Sequence, residues 1–129
     1  MSQGKRTVLI VDDNELMRKL LAAELGRDPR LAVEVAATGA EGLDKAVSAN
    51  ASVIVLDMIL PDLSGVQFLE QLKILRPDCP SVIAITGATE AAIPDSIIEV
   101  PYRGIVSAVF RKPFDHARLR ETVAFCAGC

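Results

Sequence analysis

The stretch Thr7-Val8-Leu9-Ile10-Val11-Asp12-Asp13 decides the fold. Its first five residues are apolar or β-branched on both parities. A strand with one wet face alternates polar and apolar side chains, whereas a strand covered on both faces does not. Thr7 to Val11 therefore predicts a central strand of a covered sheet, ending at two carboxylates. The pattern recurs along the chain. Ser52 to Leu56 runs into Asp57, Ser81 to Thr86 into Gly87, and Ser107 to Arg111 into Lys112-Pro113. Leu31 to Ala37 supplies the remaining strand.

Segments of helical period lie between these runs. Asn14 to Arg27 spaces Leu16, Leu20, Leu21 and Leu25 for one helix face, with Asp13 or Asn14 as cap and Gly26 and Asp28-Pro29 as the end. Ala40 to Asn50 predicts a short helix with Leu43, Ala46 and Val47 inward. Pro61 and Gly65 bracket a loop, after which Gln67 to Leu75 forms a helix closed by Arg76-Pro77. Asp115 to Ala127 is the last helix, with Leu119, Val123 and Cys126 on one face. Ala88 to Val106 carries Pro94, Pro101 and Gly104, so a short or broken helix is expected there. Strict alternation of strand and helix predicts a doubly wound parallel α/β sheet with helices on both faces.

With 129 residues the chain has the length of one domain and can bury a real core. It contains no internal repeat or linker, so residues 1–129 are read as a single domain. Half the residues are hydrophobic and 24% are charged, which excludes disorder and low-complexity classes. Trp is absent and aromatics make up 4%, so the core must be aliphatic. A net charge of −3 without a long basic run argues against direct nucleic-acid binding. No apolar run approaches the ~18 residues of a membrane span. Met1 to Arg6 shows no signal-peptide pattern, and three cysteines do not make a disulfide framework. The expectation is a soluble cytoplasmic domain with reduced thiols and no membrane contact.

Open α/β sheets bind ligands beyond the carboxyl ends of their strands. Those ends carry Asp12 and Asp13, Asp57, Thr86 and Lys112. Parallel strands would bring all five to one edge. Three crowded carboxylates either gain raised pKa values or share a cation. Oxygen ligands suit a hard divalent ion, foremost Mg²⁺, with Mn²⁺ as an alternative. Asp57 is then a candidate nucleophile, able to form an aspartyl-phosphate. Lys112 and the Thr86 hydroxyl would hold the phosphoryl oxygens. Each residue alone has a plainer explanation: a helix cap, a solvated lysine, a hydroxyl bonded to its own backbone. Their joint placement at the ends of four separate strands favours a site.

Four segments carry a family resemblance: Val8-Leu9-Ile10-Val11-Asp12-Asp13, Asp57-Met58-Ile59-Leu60-Pro61-Asp62-Leu63-Ser64-Gly65, Ile85-Thr86-Gly87 and Lys112-Pro113-Phe114. Over roughly residues 6 to 126 the chain resembles the receiver domains of two-component response regulators. The resemblance implies a flavodoxin-like sheet of five parallel strands in the order 2-1-3-4-5, flanked by five helices. It implies that Asp57 accepts a phosphoryl group from a phosphohistidine on a histidine kinase or a histidine phosphotransfer protein. It assigns Mg²⁺ to Asp13, Asp57 and the backbone carbonyl of Met58, with Asp12 acting mainly through water. It makes Lys112 the phosphoryl partner and Thr86 the residue that moves, and it implies a cis Lys112-Pro113 bond. Two departures stand out. Val109 occupies a position where the family usually has Tyr or Phe, and Pro101-Tyr102-Arg103-Gly104-Ile105 replaces the usual small-residue turn.

Other features carry less. Cys126-Ala127-Gly128-Cys129 has redox-motif spacing but closes a helix instead of opening one, so Cys126 reads as core packing. Only Cys79 and His116 could complete a zinc set, and His116 reads as a surface residue. No P-loop pattern occurs. No effector region follows the receiver pattern, so output is expected through contact with a separate, unidentified protein; a receiver cut from a longer regulator reads the same way. Two rivals are a pseudo-receiver that only binds partners and a Mg²⁺-dependent phosphohydrolase with an Asp nucleophile. The first would lack an acid or Lys112, and the second would want an Asp where Ile59 stands.

Overall fold

The computed structural model describes residues 5–87 and 105–128. In chain order it contains β1 (Arg6–Val11), α1 (Glu15–Leu25), β2 (Leu31–Ala36), α2 (Gly39–Ser48), β3 (Val53–Asp57), α3 (Gly65–Leu75), β4 (Ser81–Thr86), β5 (Val106–Arg111) and α4 (His116–Cys126). The five strands form one sheet in the order β2-β1-β3-β4-β5, and every pairing is parallel. The expected doubly wound sheet and its strand order are therefore present. The short or broken helix expected over 88 to 106 lies almost wholly outside the described residues. Four of the five helices implied by the resemblance are among those described.

Burial explains why β1 and β3 show no alternation. Val8 to Val11 and Val53 to Leu56 are all buried, because both faces of the sheet are covered. One face sets Leu9, Val11, Ile54, Leu56, Val82 and Ala84 against Leu43 and Ala46 of α2 and Phe68, Leu69 and Leu72 of α3. The other sets Val8, Ile10, Val53, Val55, Ile83 and Ile85 against Leu21 and Leu25 of α1 and Leu119 and Val123 of α4. Each fully buried aliphatic side chain contributes about 1.5–3 kcal/mol of transfer free energy. Among the described residues Phe68 is the largest wholly buried side chain, and its truncation to Ala should cost about 3–5 kcal/mol.

Two helix faces differ from their expected composition. Leu16 and Leu20 are exposed at 66% and 46%, while Leu21 and Leu25 are buried. The sheet-facing stripe of α1 runs Met17, Leu21, Leu25, and each of the other two leucines lies one residue, about 100°, round the helix. Val47 is exposed for the same reason, one residue past buried Ala46. The helix expected from Gln67 begins at Gly65, because Ser64 caps it. The Ser64 hydroxyl accepts from the Gln67 N–H, and the Gln67 side chain accepts from the Ser64 N–H. Cys126 packs half-buried against the second cluster, as read from the sequence.

Candidate functional site at the carboxyl edge of the sheet

The strand register carries the candidate residues to one edge. Asp12 follows β1 and is buried; its N–H donates to the Ala36 carbonyl at 3.1 Å. Its Oδ1 accepts from the Asn14 N–H at 2.9 Å, and its carbonyl accepts from Arg18 Nη1 at 2.8 Å. Asn14, not Asp13, caps α1, accepting from the Met17 N–H at 3.0 Å. Asp13 is thereby left exposed, with no side-chain bond among the described residues. Asp57 ends β3, buried, and its Oδ1 accepts from the Ile59 N–H at 3.0 Å. One carboxylate oxygen from each of Asp12, Asp13 and Asp57 lies within 4.8 Å of the others.

Lys112 reaches this cluster from beyond β5. Its Nζ lies 3.3 Å from Asp57 Oδ2 and 3.8 Å from Asp12 Oδ2. Its backbone N–H donates to the Thr86 carbonyl at 2.7 Å, which ties it to the end of β4. The Lys112-Pro113 bond is cis. Thr86 is wholly buried at the end of β4. Burial raises the Asp57 carboxyl above its ordinary pKa; the Ile59 N–H opposes this, the Asp12 charge adds to it, and Lys112 opposes it.

The loop after Asp57 is anchored at both ends. The Met58 N–H donates to the Ile85 carbonyl at 3.0 Å, and the Met58 carbonyl accepts from the Gly65 N–H at 2.9 Å. A Cβ on Gly65 would lie 2.6 Å from Met58 Sδ and 3.0 Å from its Cα, so a side chain there would have to displace the Met58 side chain and press on its backbone. Ile59 and Ser64 form an isolated bridge across the loop. Asp62 then reaches the start of α2, which Thr38 caps, and accepts from the Gly39 N–H at 2.8 Å and the Ala40 N–H at 3.0 Å. Those bonds hold its carboxyl below the ordinary range. The spacing from Asp57 through Pro61 to Gly65 is thus a loop clamped to two helices.

Asp12, Asp13, Asp57 and the Lys112 ammonium meet, Thr86 is tied to Lys112 through its backbone carbonyl, and the clustered donors are wholly oxygen: three carboxylates. That chemistry fits a hard divalent cation. Sequence reading missed Arg18 and Asp62. A charged residue that bonds a distant backbone atom leaves no periodic signal, whereas the Ser64-x-x-Gln67 capping box was there to be read. Val109 is half-buried and packs against the first core cluster. Among the described residues no helix is long and apolar enough to cross a membrane.

Residues 8–124 match the family model described as the response regulator receiver domain. A CheY-like response regulator receiver domain protein from Methanospirillum hungatei JF-1 superposes with a TM-score of 0.83 at 28% identity, over 97% of this chain and 95% of that one. The response regulator domain of Thermotoga maritima CheB shares the fold, with a TM-score of 0.80 at 24% identity over 97% and 98% of the two chains. Among curated proteins, protein-glutamate methylesterase/protein-glutamine glutaminase 1 of Caulobacter vibrioides is 36% identical over 125 residues, 94% of this chain and 34% of that protein. Its counterpart in Gluconobacter oxydans is 46% identical over 82 residues, 63% of this chain and 23% of that protein. The chain spans between 23% and 34% of the length of these two relatives. The strand order, the acid cluster with its lysine, and a match across nearly the whole sequence have one common explanation: the chain belongs to the family of response regulator receiver domains.

Proposed function

We propose that this chain is a single receiver domain, with its core at about residues 6–126, in which Asp57 accepts a phosphoryl group from a phosphohistidine. The donor is a histidine kinase or a histidine phosphotransfer protein. The observation that carries this reading is Lys112 Nζ, placed 3.3 Å from Asp57 and 3.8 Å from Asp12 at the mouth of the acid cluster.

The step is a displacement at phosphorus. An Asp57 carboxylate oxygen forms the new P–O bond while the P–N bond to the donor imidazole breaks, and the imidazole leaves with the electron pair. Asp13, Asp57 and the Met58 carbonyl would hold Mg²⁺ or Mn²⁺ directly, with Asp12 acting through water. When bound, the cation screens the charge between the carboxylates and the incoming phosphoryl oxygens. The Lys112 ammonium takes up negative charge on the phosphoryl oxygens, and the Thr86 hydroxyl supplies a further hydrogen bond. The Ile59 N–H holds the Asp57 carboxylate in place before transfer. Within this reading the phosphorylated domain signals through protein–protein contact. A phosphohistidine donor made from ATP would act on this domain in the cytoplasm.

Incubation with acetyl phosphate or phosphoramidate and Mg²⁺, followed by intact mass, tests the reading. The expected result is a gain of one phosphoryl group that Asp57→Asn or removal of Mg²⁺ abolishes. No gain under saturating donor would make the domain a binding module only. Repeated turnover of phosphate esters would instead indicate a phosphohydrolase.

A further inference from the structure

We propose that Arg18 is a positioning residue for the metal-binding carboxylates, acting through the backbone carbonyl of Asp12. This rests on the cation reading of the acid cluster given above. Arg18 lies on α1, and its Nη1 donates to that carbonyl at 2.8 Å. The helix does not use this oxygen, because its first hydrogen bond runs from the Arg18 N–H to the Asn14 carbonyl. The oxygen belongs to the peptide that joins Asp12 to Asp13. A peptide is planar, so holding its oxygen sets the direction in which the chain delivers Asp13.

The two acids are held differently. The Asp12 carboxylate is fixed by the Asn14 N–H and faces Lys112. The Asp13 side chain has no bond among the described residues. Its position therefore comes from its backbone, and Arg18 is the side chain that bonds this peptide. An outer contact of this kind matters because a cation site depends on ligand geometry.

Charge alone would act in the opposite sense. A guanidinium near a cation site repels the cation, so its removal would tighten binding. A third possibility is that Arg18 only steadies the start of α2. Glu41 there is held below the ordinary carboxylate range mainly by the Ala37 N–H, with smaller effects from Lys45 and Arg18. That role would lower stability and leave cation affinity alone. The three accounts thus differ in sign or in observable.

The test is a calorimetric titration of MgCl₂ into the unphosphorylated chain, with urea unfolding alongside. Arg18→Met should raise the Mg²⁺ Kd about tenfold. Its urea midpoint should move little, and the Asp13 amide resonance should shift before metal is added. Arg18→Gln, neutral and too short to span the gap, should show the same loss and guards against a folding defect in the Met variant. Arg18→Lys, which keeps a donor and the charge, should recover most of the affinity. If wild type binds Mg²⁺ and both neutral variants bind equally or more tightly, the positioning role is overturned and the cation reading stands. If wild type binds no Mg²⁺, both fall.

Discussion

Lys112 Nζ stands 3.3 Å from Asp57 Oδ2, yet the Asp57 carboxyl is held above its ordinary pKa. The ammonium is shared with Asp12, and burial of Asp57 outweighs what remains of the attraction. A divalent cation brings the missing counterpart, so the bare acid cluster carries a stability cost that the cation relieves.

That cost has a definite pH dependence. A carboxyl with a raised folded pKa binds its proton more tightly in the folded state. The resulting stability is fully present below the ordinary value of 3.8 and is lost as pH rises through the raised value. Asp57→Asn, which cannot ionise, should therefore have a higher Tm than wild type at pH 7 without Mg²⁺. The gain should vanish below pH 3.8, and Mg²⁺ should narrow it at pH 7 by stabilising wild type. Thermal unfolding followed by circular dichroism across pH checks this. A lower Tm for the variant at pH 7 would show that the Lys112 contact outweighs burial.

Asp12 and Asp13 should separate into different kinds of loss. Asp13 is exposed and makes no side-chain bond among the described residues, so Asp13→Ala should leave the fold intact. Its Mg²⁺ affinity should fall by at least about tenfold, the loss typical of even an outer contact. Asp12 is buried and accepts from the Asn14 N–H, so Asp12→Ala strands a donor and should cost about 1–3 kcal/mol. Its Mg²⁺ affinity should fall less, since its contact runs through water. Titration and urea unfolding of both variants measure the split. Unchanged Mg²⁺ affinity in Asp13→Ala would remove that residue from the metal set.

The sequence made the sheet and the strand-end acids legible because both are written in local pattern. Val8 to Val11 and Val53 to Leu56 are apolar on both parities, and that pattern has one economical reading in a covered parallel sheet. The faces of α1 and α2 were less legible. Leu16 and Leu20 sit beside Leu21 in sequence, and periodicity alone does not say which neighbouring stripe meets the sheet. Arg18 and Asp62 lay beyond reach, because their partners are a strand-end carbonyl and the N–H groups of another helix. Such contacts exist only after the topology has brought the elements together.

Gly65 should be as sensitive as a site residue although it bears no side chain. Its N–H donates to the Met58 carbonyl, and an added Cβ would crowd the Met58 side chain and Cα. Gly65→Ala should cost about 1–3 kcal/mol through overpacking. The same shift should displace the Met58 carbonyl and weaken Mg²⁺ binding. Urea unfolding with Mg²⁺ titration checks both effects. An Ala variant with wild-type Mg²⁺ affinity would argue that the Met58 carbonyl is not a ligand.

The acyl phosphate should be comparatively long-lived, and Ile59 should be a reason. Hydrolysis needs a water in line with the phosphorus, opposite the Asp57 oxygen. The Ile59 backbone N–H is bonded to Asp57 Oδ1 at 3.0 Å, which fixes that residue beside the reacting carboxylate. Its side chain is 58% exposed, so it is free of the core and able to cover the approach beside Asp57. An isobutyl-sized group there covers the approach and offers a water no hydrogen bond. Ala88, expected to flank the same approach, lies outside the described residues. Ile59→Asn supplies a donor and an acceptor at the same place and removes no core contact, so stability should change little. Its phosphorylated form should hydrolyse several-fold faster, while uptake from phosphoramidate stays near the wild-type rate. Loss of the phosphoryl mass with time, after the donor is removed, gives the rate directly. Decay at the wild-type rate or slower would mean that water access past Ile59 does not limit hydrolysis, and attention would shift to Lys112 and Thr86 as the groups that hold the phosphoryl oxygens.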